Sequence, residues 1–393
     1  MVDLIEITGG YEKDPDVEKL DLSNPAHVKL ALLSQGMRFH ESALLPVGSK
    51  VKEKIRSYNS SDFTKIVTVP QELILGDDIV VGTHWRDESP WEIAAEDEGF
   101  ALNYDGKRIT GVGFHDRPEY YDREVVKGIP AKRIGVTLGM GAVSFFMRET
   151  CTYWEGAQPC KFCSLKATQN RYGETEQYKN SDMVRALLST IQETGDHLHH
   201  IQFSGGSIWN HDDEFREYIE AVKAASDTLG RRIDGNLITM PPRDLSLIDE
   251  AYAAGMNHIS FNLEVWDPAL FKEVCPGKDE SYGRDNMIAA LEYAAGVFKN
   301  GTYTTFVGGL EPLESMFEGW DYLAARGVAP AFNVFHPTPG SIYQGKKAPG
   351  VGYLIEAAGK LQDVYQSHDF EGLLCKCCNR NALDNEAKEG YFK

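Results

Sequence analysis

Over residues 131–370, short apolar runs alternate with helical stretches in a steady rhythm. Arg133–Leu138 and Ala142–Met147 read as strands, followed by Leu198–Phe203, Ile233–Thr239, His258–Leu263, Thr302–Val307 and Ala331–Phe335. Helical patterns fill the gaps. Ser181 is positioned to cap a helix over Asp182–Thr194 that Gly195 ends. Asp212–Leu229 follows, with Phe215, Ile219 and Val222 on one face. The others cover Leu245–Ala254, Pro268–Val274, Arg284–Lys299, Pro312–Ala325 and about Tyr353–Gln366. From Ala142 onward the strands stop at Gly, Pro or polar residues and alternate with helices. That pattern predicts six parallel strands in an open or closed β/α barrel. In such a fold the loops after the strands share one mouth and carry the chemistry.

The first 130 residues lack this rhythm. Asn24-Pro25 opens a helix and Gly36 closes it. Glu72–Leu75 and Ile79–Val81 flank Gly76-Asp77-Asp78 as a hairpin, and Phe100–Tyr104 and Arg108–Val112 flank the stronger turn signal Asp105-Gly106. The acidic stretch Arg86–Glu98 reads as a solvated loop or short helix. The expected organisation is an N-terminal α+β domain or extension (1–130), a β/α barrel (131–370) and a Cys-rich C-terminal tail (371–393).

Composition narrows the class. Apolar residues make up 42% and charged residues 25% of 393, ordinary for a soluble globular protein. No apolar run approaches the roughly 18 residues of a membrane span, and the N-terminus lacks the basic-then-apolar form of a secretory signal. The net charge of −19 repels phosphate backbones and argues against a tRNA or DNA substrate. Seven cysteines, an odd count in two clusters, fit metal binding in a reducing cytoplasm better than a disulfide framework.

The first cluster is Cys151-Thr-Tyr-Trp-Glu-Gly-Ala-Gln-Pro-Cys160-Lys-Phe-Cys163. Its last two thiols have Cys-x2-Cys spacing, so one loop can turn both towards one metal centre, iron–sulfur or zinc. A zinc knuckle or three unrelated core cysteines would leave the same signature. The loop resembles the cluster motif of the radical S-adenosylmethionine (SAM) superfamily, with Phe162 as the aromatic residue between Cys160 and Cys163. The usual first gap of three residues is eight here, a widening found in some branches. The barrel pattern looks closest to the biotin-synthase-like branch.

The resemblance implies a partial (β/α)6 barrel. It also implies a 4Fe-4S cluster held by Cys151, Cys160 and Cys163, with SAM on the fourth iron and an electron donor such as flavodoxin or ferredoxin. The reduced cluster would cleave SAM to methionine and a 5′-deoxyadenosyl radical that takes hydrogen from a small-molecule substrate. Gly205-Gly206 is similar to the superfamily's Gly-Gly-Glu motif, with Ser207 in place of Glu, so only the backbone role carries over. The same residues would serve a plain strand-to-helix turn. Asn262 and Glu264 end a strand and point to the same face by strand alternation, and Glu264 resembles a polar SAM contact; a helix N-cap partner or a salt bridge at the barrel lip is the alternative. Gly309 and Glu311 resemble the region that shapes the adenine pocket, although Glu311 suits a helix cap better. The turn Phe335–Gly340 resembles the adenine-binding loop, and His336 at that strand end is placed to serve the substrate.

His197, His199 and His200 precede a strand, away from the expected mouth, and are expected on the surface. Cys275 is expected to be a small buried hydrophobe. Cys375, Cys377 and Cys378 read as ligands of a second iron–sulfur cluster, a thiolate site for a soft substrate, a redox pair or ordinary flexible chain. Three functions remain open: a small-molecule radical SAM enzyme, a tRNA-modifying relative, and a zinc-stabilised barrel without radical chemistry.

Overall fold

The computed structural model describes residues 14–44, 50–52, 69–126, 128–167, 179–372, 376 and 379–392. Helix α1 (Pro25–Gln35) is the first α-helix of the described chain, following a 3-10 turn at Pro15–Lys19. The Asn24 side chain accepts from the Ala26 N–H at 2.9 Å, and Gly36 ends the helix in the left-handed region at φ 67°. Strands β1 (Arg38–Phe39), β2 (Glu72–Leu75), β3 (Ile79–Gly82), β4 (Trp91–Ala95), β5 (Phe100–Tyr104) and β6 (Lys107–Gly113) form one sheet in the order β1-β4-β5-β6-β2-β3. Both expected hairpins are present. Asp105 (φ 48°) and Gly106 (φ 75°) supply the two left-handed residues that a tight two-residue turn requires.

The acidic stretch differs from expectation, since Trp91–Ala95 is a strand. Trp91 and Ile93 point into the core, while Glu92 between them pairs with Arg38 at 3.0 Å. This period-two alternation was masked by the surrounding acids. The Trp91 indole donates to the Gln35 Oε1 at 2.7 Å, anchoring the strand to α1.

A small hairpin, β7 (Glu124–Val126) and β8 (Ile129–Pro130), leads to the second large sheet. Its strands are β9 (Gly135–Leu138), β10 (Ala142–Arg148), β11 (His200–Gly205), β12 (Ile233–Ile238), β13 (Met256–Ser260), β14 (Thr302–Gly308) and β15 (Ala329–Val334). They lie side by side in chain order, and β10 to β15 are all parallel. The fold is therefore an α/β partial barrel of six parallel strands with an N-terminal α+β extension, as the sequence predicted. Arg133–Leu138 is strand only from Gly135 onward. Residues Ala131–Ile134 form a helical turn, and β9 runs antiparallel to β10 at the sheet edge because the intervening loop Gly139-Met140-Gly141 folds it back.

The strands are legible because both faces are covered. β14, Thr-Tyr-Thr-Thr-Phe-Val-Gly, is buried along its whole length, the signature of a parallel strand under helices. The helices are α2 (Ser181–Thr194), α3 (His211–Leu229), α4 (Ser246–Ala253), α5 (Pro268–Val274), α6 (Pro276–Ser281), α7 (Arg284–Phe298), α8 (Leu313–Ala324) and α9 (Val351–Ser367). Asn180, not Ser181, caps α2: its side chain accepts from the Met183 N–H at 3.1 Å.

The N-terminal sheet and the tail occupy the barrel's open side. On the β9 side, the Lys52 Nζ donates to the Gly139 carbonyl at 2.6 Å and the Gln71 side chain to the Thr137 carbonyl at 3.1 Å. On the β15 side, the Val334 N–H donates to the Asn381 carbonyl at 3.3 Å, and the Gly82 N–H to the Arg380 carbonyl at 3.0 Å. Residues 379–382 thus run between β15 and β3. The chain then forms α10 (Asp384–Glu389), whose buried Glu386 pairs with the buried Lys29 of α1 at 2.7 Å. One hydrophobic core runs through both sheets and the helices.

Candidate functional site

The thiol loop leaves the C-terminal end of β10. Two backbone hydrogen bonds lace it to the loop after β11: Thr152 N–H to the Ser207 carbonyl at 2.8 Å, and Gly206 N–H to the Arg148 carbonyl at 2.9 Å. The approach is so close that a Cβ on Gly206 would lie 2.0 Å from the Thr150 oxygen and 2.8 Å from the Cys151 Cβ. Only glycine fits there. The far limb is tied to the junction of α5 and α6. Lys161 N–H donates to the Val274 carbonyl at 2.9 Å, and Gly277 N–H donates to the Gln158 carbonyl at 3.1 Å. Phe162 and Cys160 pack against the core beneath.

Cys151, Cys160 and Cys163 are half-buried and carry no disulfide. Burial raises the Cys151 thiol above its usual range. Hydrogen bonding with the Cys275 thiol, then burial, raises Cys160 well above it. Burial, then proximity to Cys160, pushes Cys163 up to about 12. The three groups are close enough to influence one another's charge. Ligation needs thiolates, so loading a metal centre here must release protons.

The donor set fits an iron–sulfur cluster. Among the described residues no three His, Cys, Asp or Glu side chains gather closely enough to hold a single metal ion. A four-iron cluster instead spreads three thiolates over three irons. The Trp154 Nε1 is buried without a hydrogen-bond acceptor of its own and approaches the Cys163 sulfur, an N–H positioned for a ligand thiolate. A cleft beside Cys151, lined by Glu149, Trp154, Leu165 and Lys166, opens the loop to solvent.

The remaining mouth residues lie beyond the strand ends. Asn262 and Glu264 follow the end of β13 at Ser260, so strand alternation does not set their faces. Glu264 sits in the left-handed region at φ 71° while its backbone bonds to Thr305 and Val307, both at 2.8 Å. Lys278 joins the two residues, donating to the Asn262 carbonyl at 2.8 Å and to the Glu264 Oε1 at 2.7 Å. This lip salt bridge is buried on both sides. Glu311 is engaged elsewhere. Its carboxylate accepts from the Trp266 N–H at 2.8 Å, the Asp267 N–H at 3.2 Å and the Ser315 hydroxyl at 2.8 Å, tying the loop after β13 to α8. Gly309 (φ 98°) lies where a Cβ would come within 2.9 Å of the Pro349 ring.

His336, at the end of β15, stacks on His84 with ring centroids 3.4 Å apart, and the His84 Nε2 meets the Asn381 Oδ1 at 3.1 Å. It therefore packs between barrel, N-terminal sheet and tail. His197 and His199 are exposed, as expected, and their rings stack with centroids 5.7 Å apart. His200 is buried instead, with its Nδ1 3.7 Å from the Asp234 Oδ1, because β11 begins at this residue and turns it inward. Cys275 is fully buried, as expected. Cys375, Cys377 and Cys378 lie outside the described residues.

Sequence reasoning missed two buried groups at the mouth. Lys278 lies between two expected helices, in a gap that the structure fills with α6. Glu214, in the first turn of α3, accepts from the Ile208 N–H at 2.8 Å and the Thr239 hydroxyl at 2.7 Å, and burial pushes it up to about 7. An acid in a first turn looks like an ordinary response to the helix dipole, so neither residue carried a signal of its own.

Six parallel strands form a partial barrel, with three free thiols on the loop after the first of them, and the resemblance to the radical SAM superfamily read from the sequence stands on these features. No family model matches the chain. Bacteriochlorophyllide c C-7(1)-hydroxylase of Chlorobaculum limnaeum is 35% identical over 127 residues, 32% of this chain and 32% of that protein. The match thus spans about a third of the length of that curated relative. Among solved structures, methylornithine synthase matches with a TM-score of 0.47 at 14% identity, over 66% of this chain and 72% of that one. A radical SAM methyltransferase from Sphaerobacter thermophilus matches with a TM-score of 0.42 at 16% identity, over 70% and 75%.

Proposed function

We propose that the chain is a radical SAM enzyme acting on a small molecule in a reducing compartment such as the cytoplasm, with flavodoxin or ferredoxin as the class of electron donor. The observation that carries this reading is the free thiol trio, Cys151, Cys160 and Cys163, fixed between the β11 loop and the α5–α6 junction at the barrel mouth. These residues would hold a 4Fe-4S cluster. When bound, that cluster supplies reductive cleavage of SAM to a 5′-deoxyadenosyl radical.

The chain's own residues supply placement. Gly205 and Gly206 bring backbone rather than side chains against the thiol loop, leaving main-chain groups to meet the SAM amino acid moiety. The Glu264–Lys278 pair offers opposite charges side by side, which suits a zwitterion or ribose hydroxyls. Asn262 and Gly309 shape the same lip, and Glu311 holds the lip loops together. His336 is the candidate for substrate contact on the β15 side. The name of the curated relative, a C-7(1)-hydroxylase, supports hydroxylation at a carbon as the class of reaction. The tail thiols Cys375, Cys377 and Cys378 extend the reading to a second cluster or a thiolate site.

The test is anaerobic reconstitution with iron and sulfide, followed by assay of 5′-deoxyadenosine release from SAM under reducing conditions. Release by the native chain and none by the variant with all three loop cysteines changed to Ala is the expected result. Release by both would refute the site assignment.

A further inference from the structure

The two residues that follow Cys151 are both anchored to the first turn of α3. Thr152 is held through one peptide unit, that joining Ser207 and Ile208. Its carbonyl accepts from the Thr152 N–H at 2.8 Å, and its N–H donates to the Glu214 Oε2 at 2.8 Å. A peptide unit is planar, so a bond on each side fixes its orientation. Glu214 is 1% exposed, and its Oε1 accepts from the Thr239 hydroxyl at 2.7 Å, which braces the carboxylate just past the end of β12. Tyr153 is held directly. Its hydroxyl meets the His211 Nε2 at 3.2 Å and the Ser281 hydroxyl at 2.8 Å. His211 is buried and its ring lies against that of Tyr282. A third residue of the turn, Asp212, accepts from the Arg243 and Asp244 N–H groups at 2.5 and 3.0 Å, so the turn is itself tied to the loop after β12. An acid present only to answer the helix dipole would face solvent, as Asp213 of the same turn does.

From this geometry we infer that Glu214 and His211 are positioning residues for Cys151, Glu214 through the Ser207–Ile208 peptide and His211 through Tyr153. The inference rests on the proposed cluster site, of which Cys151 is the first ligand. Removing the Glu214 carboxylate leaves the Ile208 N–H without its acceptor. The peptide is then held from one side only, and the Thr152 N–H loses a fixed partner one residue from Cys151. Cys160 and Cys163 lie on the other limb of the thiol loop, which the bonds from Lys161 to Val274 and from Gly277 to Gln158 tie to the α5–α6 junction. The two limbs have separate anchors, so disturbing the α3 turn loosens one ligand of the three.

The experiment follows each cysteine separately. The metal-free chain is pulse-alkylated with iodoacetamide, and peptide mass spectrometry gives the modification rates of Cys151, Cys160, Cys163 and Cys275. The chains compared are native, Glu214→Ala, Glu214→Gln, His211→Phe and, as control, Asp213→Ala. Gln keeps an oxygen for the Ile208 N–H, Phe keeps a ring without its nitrogens, and the fully buried Cys275 reports general unfolding. The expected result is a Cys151 rate about tenfold above native in Glu214→Ala and His211→Phe, the factor of one lost hydrogen bond. Cys160, Cys163 and Cys275 should keep their native rates, Gln should return towards native, and Asp213→Ala should match the native chain. After reconstitution, Glu214→Ala and His211→Phe should also lose iron to a chelator faster than the native chain. A native Cys151 rate in either variant, equal acceleration at all three loop thiols, or a Gln variant as fast as Ala would overturn the inference while leaving the cluster site standing. A native chain that takes up no iron would overturn the cluster site, and this inference with it.

Discussion

Lys278 shows how much one side chain decides at this mouth. It neutralises the buried Glu264, holds the carbonyl of Asn262 and lies beside Cys160. Lys278→Met would leave Glu264 buried without its cation, a loss of about 3–5 kcal/mol. Chemical denaturation should show that loss, and adding Glu264→Gln should restore most of it. A single variant within about 0.5 kcal/mol of the native chain, the range of ordinary surface changes, would show the pair to be dispensable. Of the site, the sequence exposed residues whose chemistry is recognisable by type and spacing: the three thiols, the paired glycines and Glu264. Lys278 and Glu214 meet their partners at the mouth only when distant segments come together, so spacing along the chain carried no trace of them.

Among elements, the buried parallel strands β10 to β15 were the easiest to read, because their apolar runs end in turn residues. β4 was hidden by Glu92 on its outward face and by the acids that flank it, and β9 was extended by two residues too many because a helical turn precedes it. The β11 loop is where element and site meet. Gly206→Ala places a methyl group against Thr150 and Cys151, so it should push the thiol loop away and sharply lower iron uptake. Gly230→Ala is the control: its left-handed φ of 65° faces open space, and it should cost about 1 kcal/mol with iron uptake intact. Equal iron uptake by the two variants would show that the β11 loop does not position the cysteines.

Across the whole molecule, the N-terminal sheet and the tail brace the barrel's open side, a relationship no local pattern announces. Glu72 is central to that brace, surrounded by Lys52, His115 and Arg380. Burial alone would raise its pKa, but Lys52, His115 and Arg380 overcome it and lower it to about 2 from an ordinary 4.5. A folded pKa below the unfolded one adds stability that is present above the unfolded value. That contribution should fade as pH falls from about 4.5 towards 2. Urea unfolding across this window should show the slope in the native chain and a smaller one in Glu72→Gln; identical slopes would place the acid sensitivity elsewhere.

The tail adds a second, separable expectation. Changing Cys375, Cys377 and Cys378 to Ala should lower iron from roughly eight to roughly four per chain if two four-iron clusters are present, with SAM cleavage retained. Unchanged iron with lost product formation would point to thiolate capture of the substrate, and unchanged iron with unchanged turnover would remove the tail from the site.

The central claim is the cluster at Cys151, Cys160 and Cys163, and the most direct measurement is iron content with EPR of the chemically reduced protein after anaerobic reconstitution. The tail-substituted chain serves as background, so that only the barrel site remains. It should bind roughly four irons and give the signal of a reduced four-iron cluster that changes on adding SAM. Substituting Cys151, Cys160 and Cys163 with Ala on that background should remove both iron and signal. Iron and a SAM-sensitive signal persisting without those three thiols would contradict the account.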